Sequence, residues 1–362
     1  MIQFAACALL LFAATCATAM EPIAISSDGE NFVYATSGKR FTPWGFNYDH
    51  DGSGRLLEDY WNDEWSTVEE DFAEMKGLGA NVVRIHLQVG KFMAGPDQPR
   101  AAALAQLKRL LALAEREDLY LDLTGLGCYH KPDVPQWYDE LDEAGRWKTQ
   151  AAFWSAVAET CAASPAVFCY DLMNEPVVPG GNKPQPNWLG PGFGDKFFVQ
   201  FITRDRGDRE RADVALAWIK TLVPAIRAHD PQHLITVGLV PWSLDRPGLT
   251  SGFVPEKIAG PLDFIAVHIY PEKDKQAAAL ETLAGFAAVG KPVVIEEIFP
   301  LKCGPEQLSE FIDKSKPQAD GWIGFYWGTT PAELQTGEQT IGKAITLSWL
   351  EMFQKKAEAI KE

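Results

Sequence analysis

The spacings that mark common metal and nucleotide sites are missing from this chain. It has no CxxC or HExxH pairing and its six histidines are scattered singly, so the donor sets of zinc hydrolases are absent and no metal is expected. No GxGxxG turn follows a strand, which excludes the usual dinucleotide cradle and leaves no cofactor to expect. Basic residues are scarce: 33 Lys and Arg stand against 49 Asp and Glu, a formal charge of −16. That balance argues against nucleic acid or an acidic membrane face as partner, and neutral sugars stay compatible. Internal repeats, low-complexity linkers and appended binding modules are also absent.

Charge is missing altogether from the first nineteen residues, where Phe4 to Thr15 form an apolar run followed by Ala17-Thr18-Ala19. This reads as a cleaved secretory signal peptide over 1–19, which predicts a secreted or periplasmic protein. No later segment is apolar enough for a membrane span. The remaining 343 residues, 20–362, are expected to form a single catalytic domain. They hold four cysteines, Cys128, Cys161, Cys169 and Cys303. An exported chain permits a Cys161–Cys169 disulfide, and buried free thiols are the other reading.

What is present is a rhythm. Phe32-Val33-Tyr34 and Arg40-Phe41-Thr42 flank the turn residues Ser37-Gly38, which predicts a hairpin that plugs a barrel floor. After it, an apolar strand, a loop and an amphipathic helix recur. Strands are expected near 43–48, 81–86, 119–124, 167–174, 233–239, 264–270, 293–297 and 322–327. The first helix is expected to open on a capping box, Ser66 with Glu69. The second shows Leu104, Leu107, Leu111 and Ala114 on one face, and later helices are expected near 208–229, 274–288, 305–315 and 341–356. Strands apolar on both faces imply a parallel sheet, and eight units imply closure. The expected class is α/β, a (β/α)8 TIM barrel with an N-terminal β-hairpin, and an open doubly wound sheet is the alternative.

Two acidic strand ends carry the functional reading. Tyr170-Asp171-Leu172-Met173-Asn174-Glu175-Pro176 ends one buried strand, and Pro292-Val293-Val294-Ile295-Glu296-Glu297 ends another, 122 residues later. Cleaving a glycosidic bond needs such a pair, one carboxyl to donate a proton and one to attack or to activate water. Glu175 is assigned as general acid/base, with a partly apolar pocket expected to raise its pKa, and Asn174 as the partner of the sugar hydroxyl beside the reacting carbon. Glu297 is assigned as nucleophile. Alternation puts it on the face of Val293 and Ile295, and if those two fill the barrel its carboxylate points inward. Glu296 then points to the opposite face as a supporting carboxylate, and the doublet is not a metal site.

Arg84 shares a face with His86 and is expected to keep the nucleophile ionised. His268 and Tyr270 share a face beside the small Ala266, with Tyr270 placed to hold the nucleophile. Trp327, following Ile323 and Phe325, offers an indole plate for a pyranose ring. Trp137, Trp147, Trp188 and Trp242 are further stacking candidates in presumed top loops.

In this order, Arg84, Asn174-Glu175-Pro176, His268-x-Tyr270, the run from Lys291 to Glu297 and Trp327 resemble glycoside hydrolase family 5, of clan A, over about residues 30–355. The resemblance implies a retaining double displacement: Glu297 forms a glycosyl-enzyme, and Glu175 first protonates the leaving oxygen and then activates water, with the carboxyls about 5–5.5 Å apart. It implies an oligo- or polysaccharide partner of β-glucan or β-mannan type. Many cellulases of the family end strand three with a histidine, where this chain has Thr124; His130 or Tyr129 could replace it. The Glu296-Glu297 doublet is mannanase-like. The loop over 177–206, rich in Pro and Gly, is expected to wall off one end of a cleft and favour exo-action. A carbohydrate-binding barrel without activity and a transglycosylase on the same scaffold stay open as alternatives.

Overall fold

The computed structural model describes residues 20–181 and 183–361. The expected signal peptide over 1–19 lies outside them. A small antiparallel sheet comes first, of β1 (Ile23–Ile25), β2 (Phe32–Tyr34) and β3 (Arg40–Phe41). Eight parallel strands then close into a barrel: β4 (Trp44–Tyr48), β5 (Val82–Gln88), β6 (Tyr120–Gly127), β7 (Val167–Asn174), β8 (Leu234–Leu239), β9 (Ile265–His268), β10 (Val293–Glu297) and β11 (Gly321–Phe325). Each is followed by a helix, in order α1 (Trp65–Gly77), α2 (Ala101–Glu117), α3 (Glu143–Cys161), α4 (Arg211–Arg227), α5 (Pro255–Ile258), α6 (Gln276–Ala287), α7 (Pro305–Ser315) and α8 (Ile341–Lys361). Among the described residues no helix is long and apolar enough to cross a membrane.

Alternation sorts each strand's side chains between two cores. In β5, Val83, Ile85 and Leu87 join the layer beneath the helices, while Val82 joins the barrel floor with Phe168, Phe264, Val294 and Ile323. Each helix contributes one apolar stripe to the outer layer; in α2 it is Leu107, Leu110, Leu111 and Ala114. Burying each leucine contributes about 1.5–3 kcal/mol.

The hairpin seals the floor. Phe32 meets Phe168 and Phe264 edge-on at 5.3 and 5.2 Å, and Phe41 meets Tyr120 at 5.1 Å. Its additional strand β1, paired with β2, was too short to register as a sequence pattern.

Three expectations are corrected. The capping box of α1 does not form: Glu64 is the N-cap, Ser66 sits inside the first turn and Glu69 pairs with Arg116 at 3.0 Å. Burial of Trp65 under the Arg109 guanidinium starts the helix earlier than the box would. The four cysteines are free thiols, and Cys161 cannot meet Cys169 because the first belongs to the outer layer and the second to the barrel floor. Tyr270 and Trp327 lie just beyond the ends of β9 and β11, on the loops of the barrel mouth.

Candidate active site

The barrel mouth is organised around one buried arginine. Arg84 rises from β5 inside the barrel; its Nη1 donates to Asn47 Oδ1 at 2.8 Å and to Glu297 Oε1 at 2.9 Å. Its Nη2 donates to Asp171 Oδ2 at 2.8 Å and to Asn174 Oδ1 at 3.0 Å. Burial works against its charge, but Glu296, Asp171, Glu297 and Asp122 outweigh that cost and hold the guanidinium protonated.

Adjacent strand residues normally face opposite ways, yet two adjacent pairs both turn inward here. In β10 the partners of Val267 and His268 are Ile295 and Glu297, so Glu296 is an extra residue, a β-bulge. Val293 and Ile295 face the helices, and Val294 fills the floor. This reverses the expected phase: alternation from Val294 puts Glu296 wholly buried inside the barrel, 3.5 Å from Arg84 and 3.4 Å from His268, and the bulge carries Glu297 to the mouth as well. At the end of β7, Glu175 takes a left-handed backbone, φ 46°, which costs on the order of 1 kcal/mol outside glycine. That turn lets Glu175 join Asn174 at the mouth, its own N–H donating to Gly238 O at 2.9 Å.

His268 stands between the two carboxylates. Its Nδ1 is 3.0 Å from Glu175 Oε1 and 3.4 Å from Glu297 Oε1, and one oxygen of each carboxylate lies within 4.8 Å of the other. Tyr270 Oη donates to Glu297 Oε2 at 2.5 Å.

Above this cluster opens a cavity of about 540 Å³, the size of a small-ligand pocket. Glu175, Glu297, Asn174, His86 and Tyr270 form its floor; Phe198, Phe299, Phe325 and Trp327 form apolar walls. Trp327 stacks on Phe325 at 5.5 Å and meets His50 edge-on at 5.8 Å.

The sequence profile of cellulase (glycosyl hydrolase family 5) matches residues 36–329. The chain belongs to glycosyl hydrolase family 5. No curated protein sequence matches it. Among solved structures it is similar to an exo-β-1,4-mannosidase from Opitutaceae bacterium strain TAV5, at 18% identity and a TM-score of 0.68, over 93% of this chain and 62% of that one. The chain thus spans less than two thirds of that mannosidase. It is also similar to the endo-1,4-β-mannanase of Rhizomucor miehei, at 18% identity and a TM-score of 0.63, over 94% and 99% of the two chains. A β-1,4-mannanase of the sea hare Aplysia kurodai matches at 15% identity and a TM-score of 0.63, over 92% and 96%. The protein is therefore a glycosyl hydrolase with the barrel of its family.

Within this family 5 barrel the structure brings together Arg84, Asn174, Glu175, His268, Tyr270, Glu297 and Trp327. It does not bring in His130, which faces a separate small crevice and lies 3.6 Å from Asp133. Tyr129 takes the inward place instead, its hydroxyl 2.5 Å from His86 Nδ1. Thr124 donates to Asp171 at 2.9 Å. Of the tryptophans singled out, only Trp327 lines the cavity; Trp147 and Trp188 spend their indole N–H on Ile202 O and Asp139 O.

Sequence reasoning missed the layer beneath. Asp122, Asp171 and Glu296 lie wholly buried, with one carboxylate oxygen of each within 4.8 Å of the others. The Gly238 N–H donates to Asp171 Oδ1 at 2.7 Å. The available signal was charge in the middle of apolar strands, Asp122 in β6 and Asp171 in β7. Burial and then Glu296 drive Asp122 well above the usual carboxylate range. Burial pushes Glu296 up, but Arg84 and His268 bring it below its ordinary value. This triplet, and Glu175 with His268 and Glu297, have the donor types of cation sites; in both, Arg84 or His268 already supplies positive charge.

Proposed function

We propose that the protein hydrolyses a β-glycosidic bond of a mannan- or glucan-type saccharide by a retaining double displacement. The observation that carries this reading is the close approach of the Glu175 and Glu297 carboxylates, within 4.8 Å oxygen to oxygen. A retaining pair sits about 5–5.5 Å apart, whereas an inverting pair needs about 6.5–9.5 Å to admit a water.

Glu297 attacks the anomeric carbon while Glu175 gives its proton to the departing oxygen. The C–O bond to the leaving sugar breaks as the bond to Glu297 forms. Glu175, now ionised, takes a proton from water, which attacks the same carbon and returns Glu297 to its starting state. Arg84 and Tyr270 hold the two oxygens of Glu297 and orient it. Asn174 is placed for the hydroxyl next to the reacting carbon, and Trp327 offers its ring face to the sugar. The mannan side of this proposal is supported by the structural neighbours, a β-mannosidase and two β-mannanases. Export rests on the uncharged, apolar first nineteen residues.

The test is the anomeric configuration of the first product, followed by NMR on β-mannan and β-glucan oligosaccharides, with Glu297→Ala as control. Release of the β-anomer, lost in the variant, is expected. First release of the α-anomer would overturn the double displacement.

A further inference from the structure

The connection between β7 and α4 leaves the barrel beside Glu175 and returns across the mouth. Phe197 N–H donates to Tyr129 O at 2.9 Å, beyond the end of β6. The tip is a tight hairpin in which Phe193 and Lys196 pair through both backbone bonds, 2.8 and 3.2 Å, around Gly194 at φ 62°. From this tip the Lys196 side chain reaches the turn that follows β4. A Cβ placed on Gly54 would stand 3.1 Å from Lys196 Nζ.

Lys196 is an unusual wall residue. Its side chain is only 8% exposed, and among the described residues the one carboxylate within 4 Å is Asp195, at 3.5 Å and itself 84% exposed. The stem is packed into the wall while the ammonium, with that single distant carboxylate, keeps donors free for a ligand. It faces the cavity alongside Asp49 and His50, which pair with each other at 3.2 Å.

These residues occupy a defined end of the site. In the ring of strands β11, which leads to Trp327, lies opposite β7, which carries Glu175, and β4, which leads to Asp49, is its neighbour. The general acid acts on the departing oxygen, so the leaving sugar lies on the Glu175 side. The sugar attacked by Glu297 therefore points its far end toward Lys196, Asp49 and His50.

We propose that Lys196, held over the Gly54 turn by the Phe193–Lys196 hairpin, closes this end of the cavity and donates to hydroxyls of a non-reducing terminal sugar, making the enzyme exo-acting. The inference rests on the hydrolytic reading above. It makes Lys196 a specificity-determining residue: a chain that continued past the terminal sugar would collide with the hairpin, and a terminal sugar finds an otherwise unused donor.

The test uses pentasaccharides of β-1,4-mannose and β-1,4-glucose labelled at the reducing end. The wild-type protein is expected to release unlabelled monosaccharide first, leaving a labelled tetrasaccharide. Lys196→Ala should raise KM about tenfold with kcat changed less than about threefold, and Lys196→Arg should recover most of the loss, with melting temperatures unchanged in both. Unlabelled di- or trisaccharide as the first wild-type product would overturn the closed end while leaving hydrolysis intact. An unchanged KM in Lys196→Ala would overturn the role of Lys196. No cleavage of any β-linked saccharide by the wild-type protein would instead remove the hydrolytic reading, and this inference with it.

Discussion

His268 Nδ1 lies 3.0 Å from Glu175 Oε1, so the ring touches one carboxylate of the pair directly and reaches the other, Glu297, at 3.4 Å. Burial alone would push the imidazole toward neutrality. Glu297, Glu175 and Glu296 outweigh it and lift His268 to about 10. The folded protein thus holds a proton that the unfolded chain releases near the ordinary value of 6.5. The stability this provides is complete below that value and is lost as pH rises through about 10. Urea unfolding across this window should show falling stability in the wild type and a flatter profile in His268→Gln.

In the proposed double displacement Glu297 is the nucleophile, and Tyr270 holds its carboxylate. Burial raises the Glu297 carboxyl above its ordinary value, against His268, Arg84 and the Tyr270 hydroxyl. A nucleophile must be ionised, so kcat/KM falls as pH drops through this raised pKa. Tyr270→Phe removes a donor to the charged form and should move the acid limb to still higher pH, with activity down about 10- to 100-fold, measured with an aryl β-glycoside.

Gly238 is where the buried network comes closest to a backbone. A Cβ there would stand 2.9 Å from Glu296 Oε2 and 3.1 Å from both Arg84 Nη2 and Asp171 Oδ2. Gly238→Ala should therefore displace Arg84, costing about 1–3 kcal/mol in urea unfolding and most of the activity, although residue 238 does not line the cavity.

Glu58 is a titrating group away from the chemistry. Burial lifts it from 4.5 to about 7, opposed by the Gln88 N–H that it accepts at 2.7 Å. Because the folded state keeps this proton longer than the unfolded chain, its contribution falls as pH rises from 4.5 through about 7. Glu58→Gln should flatten that part of the stability profile and leave kcat unchanged.

Strand positions and the two acidic strand ends were legible because the strands are apolar runs, and β7 and β10 stop abruptly at an acid. The strands β7 and β10 fall on their expected ranges. Alternation failed at Glu297, because the bulge that brings it inward is a hydrogen-bonding event between β9 and β10, set by a partner strand that one sequence does not display. The left-handed turn at Glu175 is equally silent, since glutamate gives no sign of it. His130 misled because Tyr129, one residue earlier, takes the inward place. The roles of Phe198 and Lys196 depend on a loop whose path across the mouth follows from contacts with Tyr129 and the Gly54 turn, not from its composition.

The aromatic floor has a consequence for traffic. With Phe32 and Phe41 wedged among Phe168, Phe264 and Tyr120, the barrel has no rear exit, so incoming saccharide, water and both products share one doorway. On the exo-acting reading proposed above, the freed sugar has to back out before the next chain end can seat, and its residence time becomes part of every turnover.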